Sequence, residues 1–552
     1  DATHPVVEAE VHGGDPFVAY WRHFLAQEEV AGEVEPGLGR EPGQIEKLQK
    51  DNLQKVLTSS EHLLNLINGL LDLAKINGRT AQSANAWALT WLVLFACYYV
   101  AFRMCPPAGR VTRPFRRVAL FIICGWAAFF AVNLIFMYPV GAADLFDQIF
   151  RARLTTHYGY NPFTTLPNAI AGDPFQPYVA WRGDPSPYGP MWESLAAGAS
   201  LLGGDSLWRN LIAFKLLVAV AYGISVALTY GILRAVRPDW ALRGTLFFAW
   251  NPLVLFEVPG NGHNDAIVAM FVLAGLYALA LGWRTAVLPA LTAGVLTKFV
   301  PILLLPVAAA AIWRDRAHRA APGEENDEGR PLRTSGDAFS ALAIGAVLSV
   351  GLAAVLYAPF WTGIEGILPR NRDTLFTASI GKVVLDMLVR DFGVATDTAQ
   401  SAVRNTAYAI VGLVAVGAAV FVFLRRDAYT SGGRIALVKR TFAAFYEIIF
   451  AYLAVAALWF QPWYLLWLIA LAAPTGSPTR VNRTLLFCVG GVANYFVWDY
   501  IWLWNKTDIG TNQITSVLVV YSLPLLYTVY VWLKPTWDKH GPEPRGQTLP
   551  SA

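Results

Sequence analysis

Between Tyr138 and Asp205 the sequence gathers most of the polar and conformationally special residues that lie outside its apolar blocks. The stretch opens with Gly141-Ala-Ala-Asp144-Leu-Phe-Asp147-Gln148 and runs through Arg151-Ala-Arg153 to His157-Tyr-Gly-Tyr160-Asn161-Pro-Phe163. After Asp173-Pro174 and Trp181-Arg182 it closes on Ser186-Pro-Tyr188-Gly-Pro-Met-Trp192-Glu193. A carboxylate at a membrane surface can take the proton from an acceptor hydroxyl. Arg side chains can hold a departing phosphate, bidentately where geometry allows. Aromatic faces such as Trp181, Tyr188 and Trp192 can stack on a sugar ring. Together these types suit transfer of a group from a phosphate-linked lipid. Asp144 and Asp147 stand at i and i+3, so a helix would carry both on one side. Neighbouring carboxylates hold protons more tightly than isolated ones, which suits a general base. A purely structural reading stays open beside it: one Asp caps a helix and Asp147 pairs with Arg151 at i+4.

Other segments add polar groups to apolar surroundings. Glu257-Val-Pro-Gly-Asn261-Gly-His263-Asn264-Asp265 carries two glycines that free the backbone and side chains able to read sugar hydroxyls. Asn264 or Asp265 could instead cap a helix. Glu257 lies near a membrane boundary, and Lys298 interrupts an apolar block; ionisable groups in such places are functional candidates. Lys298 would meet a phosphate or snorkel to the interface. Gln461-Pro462-Trp463-Tyr464 forms a tight apex between two apolar blocks, as a substrate contact or part of an aromatic belt. Arg370, Arg372 and Lys382 make a basic patch within 360–400. No residues show metal-ligand spacing, the four cysteines included, so neither a metal nor another cofactor is expected.

The elements that position these groups follow from composition. Of 552 residues 55% are hydrophobic and 15% charged, and 43 Lys+Arg against 39 Asp+Glu leave +4. A soluble domain carries about 25% charged residues. Apolar blocks long enough to cross a bilayer recur after about residue 86, so soluble enzymes, coiled coils and disordered scaffolds are excluded. Lipid offers backbone groups no water, which makes the blocks helices. The expected fold is all-α, a polytopic transmembrane bundle of about thirteen spans with a large first extracytoplasmic loop. That count places the Arg-rich loops 110–117, 234–243, 314–333, 425–440 and 480–483 inside the cell and lays Pro190–Leu202 in the interface. The block Thr285–Trp313 is too long for one span, and Lys298 with Pro301 predicts two short helices hinged there.

The first 85 residues differ: polar, with apolar residues at helical spacing over Ile45–Ile76. Within them Ser59–Ile76, SSEHLLNLINGLLDLAKI, resembles the second dimerisation helix of sensor histidine kinases, without the phosphoacceptor motif or a nucleotide-binding domain. Three units are expected: 1–85 as a polar extension, 86–535 as the membrane domain, and 536–552 as a disordered cytoplasmic tail.

The run Asp144…Arg153…Tyr158-Gly159-Tyr160-Asn161-Pro162-Phe163…Asp173-Pro174…Trp181…Ser186-Pro187-Tyr188-Gly189-Pro190-Met191-Trp192 resembles the first extracytoplasmic loop of prokaryotic GT-C glycosyltransferases. More narrowly it is similar to the polyprenyl-phosphate-mannose-dependent mannosyltransferases. Glu257–Asp265, Leu296-Thr-Lys298-Phe-Val-Pro301 and Tyr357-Ala-Pro-Phe-Trp361 agree. The resemblance implies a cell-membrane enzyme that moves a sugar, usually mannose, from a polyprenyl phosphate to a glycolipid or polysaccharide hydroxyl. It implies inversion, an active site outside the cytoplasm, and an Asp base just after an early helix, best matched by Asp144 and next by Asp147. The competing reading is a multi-pass transporter or lipid flippase, which would also need many spans and intramembrane polar groups.

Overall fold

The computed structural model describes residues 81–108, 111–141, 143–315, 335–363, 375–425, 433–502 and 508–540. The kinase-like stretch, Arg370 and Arg372 lie outside the described residues.

Long apolar sequence becomes long helix. α1 (Ala81–Met104) and α2 (Arg113–Ile135) lead into the polar loop, which holds α3 (Ala143–Thr156) and α4 (Pro190–Gly203). α5 (Leu207–Val236) returns across the molecule. Three short pieces come next: α6 (Ala241–Ala249), α7 (Pro252–Leu255) and a π-turn over Phe256–Gly260. α8 (Asp265–Leu281) then leaves at a bend of 117° from α7 and its π-turn. α9 (Arg284–Val295) and α10 (Leu305–Arg314) are joined by the Lys298 turn and a 3-10 turn, Val300–Leu304, so the hinge expected in Thr285–Trp313 is present. The chain continues through α11 (Ser335–Tyr357), α12 (Ile380–Arg390), α13 (Thr396–Leu424) and α14 (Gly433–Ala451). It ends with α15 (Leu465–Thr475), α16 (Pro478–Phe496) and α17 (Ile509–His540). α17 runs through His540.

Among the described residues seven helices are long and apolar enough to cross a membrane, or eight if the bent pair counts as one span. The expected count of about thirteen is not confirmed among the described residues. Several apolar blocks form helices shorter than the roughly 20 residues a span needs, as Pro462–Thr475 and Val300–Arg314 do. The bundle explains how such pieces are tolerated. Every residue of α15 is buried, as expected for a helix that is apolar all round and sits at the centre. At the periphery, α11 leaves Val347, Val350 and Val355 exposed and α13 leaves Leu413 and Val416 exposed, which is the surface hydrocarbon would cover. α8 packs against α5 and α9, and α3 packs on α4, which lies along α5. The polar loop is thereby seated on the same end of α5 as the bent segment.

Candidate functional site

The polar groups of the bent segment are enclosed. Glu257, Asn261, His263, Asn264 and Asp265 are all buried. Burying them without partners would cost several kcal/mol each, of the order of 2–7 for an amide or hydroxyl, and most have partners. The Glu257 carboxylate accepts Asn261 Nδ2 at 3.0 Å and the Tyr495 hydroxyl at 2.7 Å, and His263 Nε2 stands 3.3 Å away. The His263 ring lies parallel to Trp463 with centroids 4.0 Å apart. Lys298 Nζ donates to Asp265 Oδ2 at 2.6 Å and sits over the rings of Tyr188, Tyr464 and Trp467 at 5.4–5.9 Å. Asn264 occupies the N-cap position of α8, but its side chain makes no capping bond. Its amide nitrogen and oxygen are both buried with no partner among the described residues, as is Asp265 Oδ1.

Two backbone approaches join the polar loop to this cluster. Gly189 and Met191 donate to the carbonyls of Thr297 and Leu296, both at 3.0 Å. A Cβ on Gly189 would lie 2.0 Å from the Leu296 carbonyl oxygen, so only glycine allows this contact. It sets Tyr188 over Lys298. Gln148 Nε2 donates to the Tyr188 hydroxyl at 3.1 Å and fixes the ring from α3. On the other side, Gly141 N–H donates to Asn261 Oδ1 at 3.4 Å. Asp144, in the first turn of α3, is half-buried, and its charge acts on Asp265, Tyr464 and Tyr495. Asp144, Glu257, Asn261, His263, Asp265, Lys298, Tyr188 and Trp463 thus form one neighbourhood.

Other expected site residues hold the loop together. Asp147 is buried one turn after Asp144; its Oδ1 accepts the Trp181 N–H at 3.0 Å. Burial pushes its carboxyl up to about 6, against the lowering effect of that N–H and of Arg151. Arg151 donates to the carbonyls of Asp184 and Trp181 at 2.7 and 3.1 Å, so its guanidinium braces backbone. Arg153 pairs with Asp173 at 3.0 Å and Asp205 at 2.9 Å and lies over the Phe175 ring. Asp173 also accepts the Tyr158 hydroxyl, which together with the Phe175 N–H and Arg153 holds its carboxyl below the usual range despite burial. Asn161 donates to the Phe360 carbonyl at 2.8 Å and so ties the loop to the end of α11. Trp192, expected to offer a face to sugar, is wholly enclosed by Tyr188 and Phe214; the apolar environment takes the ring and leaves no open face. Trp181 meets Trp459 edge-on, Tyr160 is exposed and parallel to Tyr158, and Gln461 opens the turn that carries Trp463. Lys382 pairs with Asp386 on its own helix.

Trp467 and Tyr495, which line the cluster beside Tyr464, escaped sequence reading, and Glu193 was given no role there. Glu193, buried on α4, accepts the Ser186 hydroxyl; burial pushes its carboxyl up to about 7, opposed by that bond and by Arg151. A charged residue on an otherwise apolar helix was the available signal for Glu193. The aromatics carry none, because rings are common throughout the bundle. Among the described residues no group of three His, Cys, Asp or Glu could hold a metal ion.

Residues 55–314, a little under half of the chain, match a family described as Alpha-(1->6)-mannopyranosyltransferase, N-terminal domain. The resemblance to membrane mannosyltransferases read from the loop residues is borne out by that match. A Mycolicibacterium smegmatis protein described as "Probable alpha-(1->6)-mannopyranosyltransferase" is 25% identical over 201 residues, 36% of this chain and 33% of that protein. Alpha-(1->6)-mannopyranosyltransferase B of Corynebacterium glutamicum is 27% identical over 146 residues, 25% of this chain and 23% of that one. The chain therefore spans about a third and a quarter of these two relatives. Alpha-(1->6)-mannopyranosyltransferase A of Corynebacterium glutamicum is 24% identical over 423 residues, 73% of this chain and 78% of that one. The Archaeoglobus fulgidus oligosaccharyltransferase in its apo form aligns with 78% of this chain and 61% of that one at a TM-score of 0.38 and 14% identity.

Proposed function

We propose that the chain is an integral-membrane mannosyltransferase that moves mannose from a polyprenyl-phosphate donor to an acceptor hydroxyl, on the extracytoplasmic face and with inversion. The relatives named as α-1,6-mannosyltransferases support the sugar and the reaction class. The observation that carries the site is the placement of Asp144: half-buried on the first turn of α3, with no hydrogen bond or ion pair among the described residues, beside the Lys298–Asp265 pair. Asp147, its competitor, is buried and spends an oxygen on Trp181. Asp144 then takes the proton of the attacking hydroxyl. Lys298 has three N–H groups and gives one to Asp265, which leaves two for the departing phosphate. Arg151 and Arg153, with their donors on the loop, serve the frame.

The test is transfer by the full chain in nanodiscs from polyprenyl-phosphate mannose to an oligomannoside acceptor. General-base catalysis is worth roughly 10²–10⁴-fold. Asp144→Asn should lose about that much turnover with its melting temperature unchanged, whereas Asp147→Asn should leave turnover within a few-fold. Movement of lipid or sugar without covalent transfer would favour the transporter reading and overturn this one.

A further inference from the structure

We infer that Glu257 is a positioning residue: through Asn261 it holds the first turn of α3, and with it Asp144, against the bent segment. The inference rests on the general-base reading above. Glu257 is 0% exposed and lies inside the π-turn, so it acts through its neighbours.

Two donors bond to its carboxylate, Asn261 Nδ2 and the Tyr495 hydroxyl, and His263 Nε2 stands 3.3 Å away without a hydrogen bond among the described residues. An amide has one donating and one accepting end. The carboxylate accepts, so it fixes which end of Asn261 faces it. Oδ1 is thereby turned toward Gly141 and accepts that residue's N–H. Gly141 lies three residues before Asp144. A second contact closes on the other side. Gly262 has φ +82°, a conformation costly for any residue with a Cβ, and a Cβ there would come within 3.0 Å of Leu145. Leu145 directly follows Asp144. The segment that Glu257 organises therefore touches the chain on both sides of Asp144, at Gly141 just before α3 and at Leu145 within it. The π-turn explains how this geometry arises, since the extra residue in such a turn re-aims the chain beyond it. Asn261 N–H closes onto the Phe256 carbonyl at 2.8 Å and His263 N–H onto that of Glu257 at 3.0 Å.

The experiment pairs transfer kinetics with amide hydrogen exchange over 141–147, on the full chain in nanodiscs. Glu257→Gln sets an N–H against one of these two donors and frees the Asn261 amide to turn. Misplacement of a reacting group by about 1 Å costs on the order of 10²-fold. The expected result is a kcat about 10–100-fold lower, a donor KM within twofold, an unchanged melting temperature and faster exchange over 141–147. Asn261→Ala should do the same, and the double variant should be no worse than the poorer single one, because both act through one chain of contacts. A Glu257→Gln enzyme with wild-type kcat and exchange overturns the inference; so does a loss confined to KM, or a fully additive double variant. If Glu257→Gln fails to fold, Asn261→Ala and Gly262→Ala carry the same test. If the wild type transfers no mannose, the general-base reading falls, and exchange over 141–147 alone decides whether Glu257 holds the turn.

Discussion

Asp265 is buried, and its charge is compensated by the half-buried Lys298. Removing one partner of a buried pair costs about 3–5 kcal/mol, because the other is left uncompensated. Lys298→Met should therefore lower stability by about that much in thermal melts, and adding Asp265→Asn should recover a large part of it without restoring transfer. Asp147 and Glu193 give a second prediction. Burial raises both, to about 6 and about 7, above the roughly 4 of an unfolded carboxyl. Between about pH 4 and pH 7 the folded chain thus binds protons the unfolded chain has released, so stability falls as pH rises through that window. Melting temperatures measured from pH 5 to pH 8 should drop, and the drop should be smaller in Glu193→Gln. The sequence shows two acidic residues on one helix but not which is enclosed. That depends on the rotation of α3 against α4, set by packing partners far along the chain. It also shows the cations Arg151 and Arg153 without their partners; Asp184 lies 33 residues on.

At the scale of elements, the contact between the Ser186–Trp192 stretch and the Lys298 turn is the joint of the site. It depends on a missing Cβ at Gly189. Gly189→Ala must part the two strands of backbone, and overpacking of this kind costs about 1–3 kcal/mol. The expected outcome is lower thermal stability together with weaker donor binding, since Tyr188 leaves its place over Lys298; Gly198→Ala, with open space around its Cβ, should change neither. Helix positions were largely legible, because long apolar runs leave the backbone no alternative in lipid. The break at Lys298 and Pro301 was legible for the same reason: a charge and a missing N–H interrupt the run. The number of crossings was not. Apolar composition does not separate a helix facing lipid from one like α15 that is enclosed by other helices.

For the molecule as a whole, the polar loop and the Pro238–Trp240 turn lie at opposite ends of α5, a helix of 30 residues. On the proposed sidedness, Tyr160→Cys should react with an impermeant thiol reagent from outside intact cells and Asp239→Cys only after lysis, both positions being exposed. Reaction of Asp239→Cys from outside would invert the sidedness.

α13 has 29 residues, and at 1.5 Å per residue it is about 43 Å long, against about 30 Å of hydrocarbon. Such a rod must lean or protrude, and its lean shifts with the length of the surrounding acyl chains at a modest cost per ångström. α13 touches α12, α10 and the turn after α14, where Tyr452 meets the Trp467 ring over which Lys298 sits. Turnover should therefore vary with bilayer thickness, passing through a maximum across a series of phosphatidylcholines of increasing chain length.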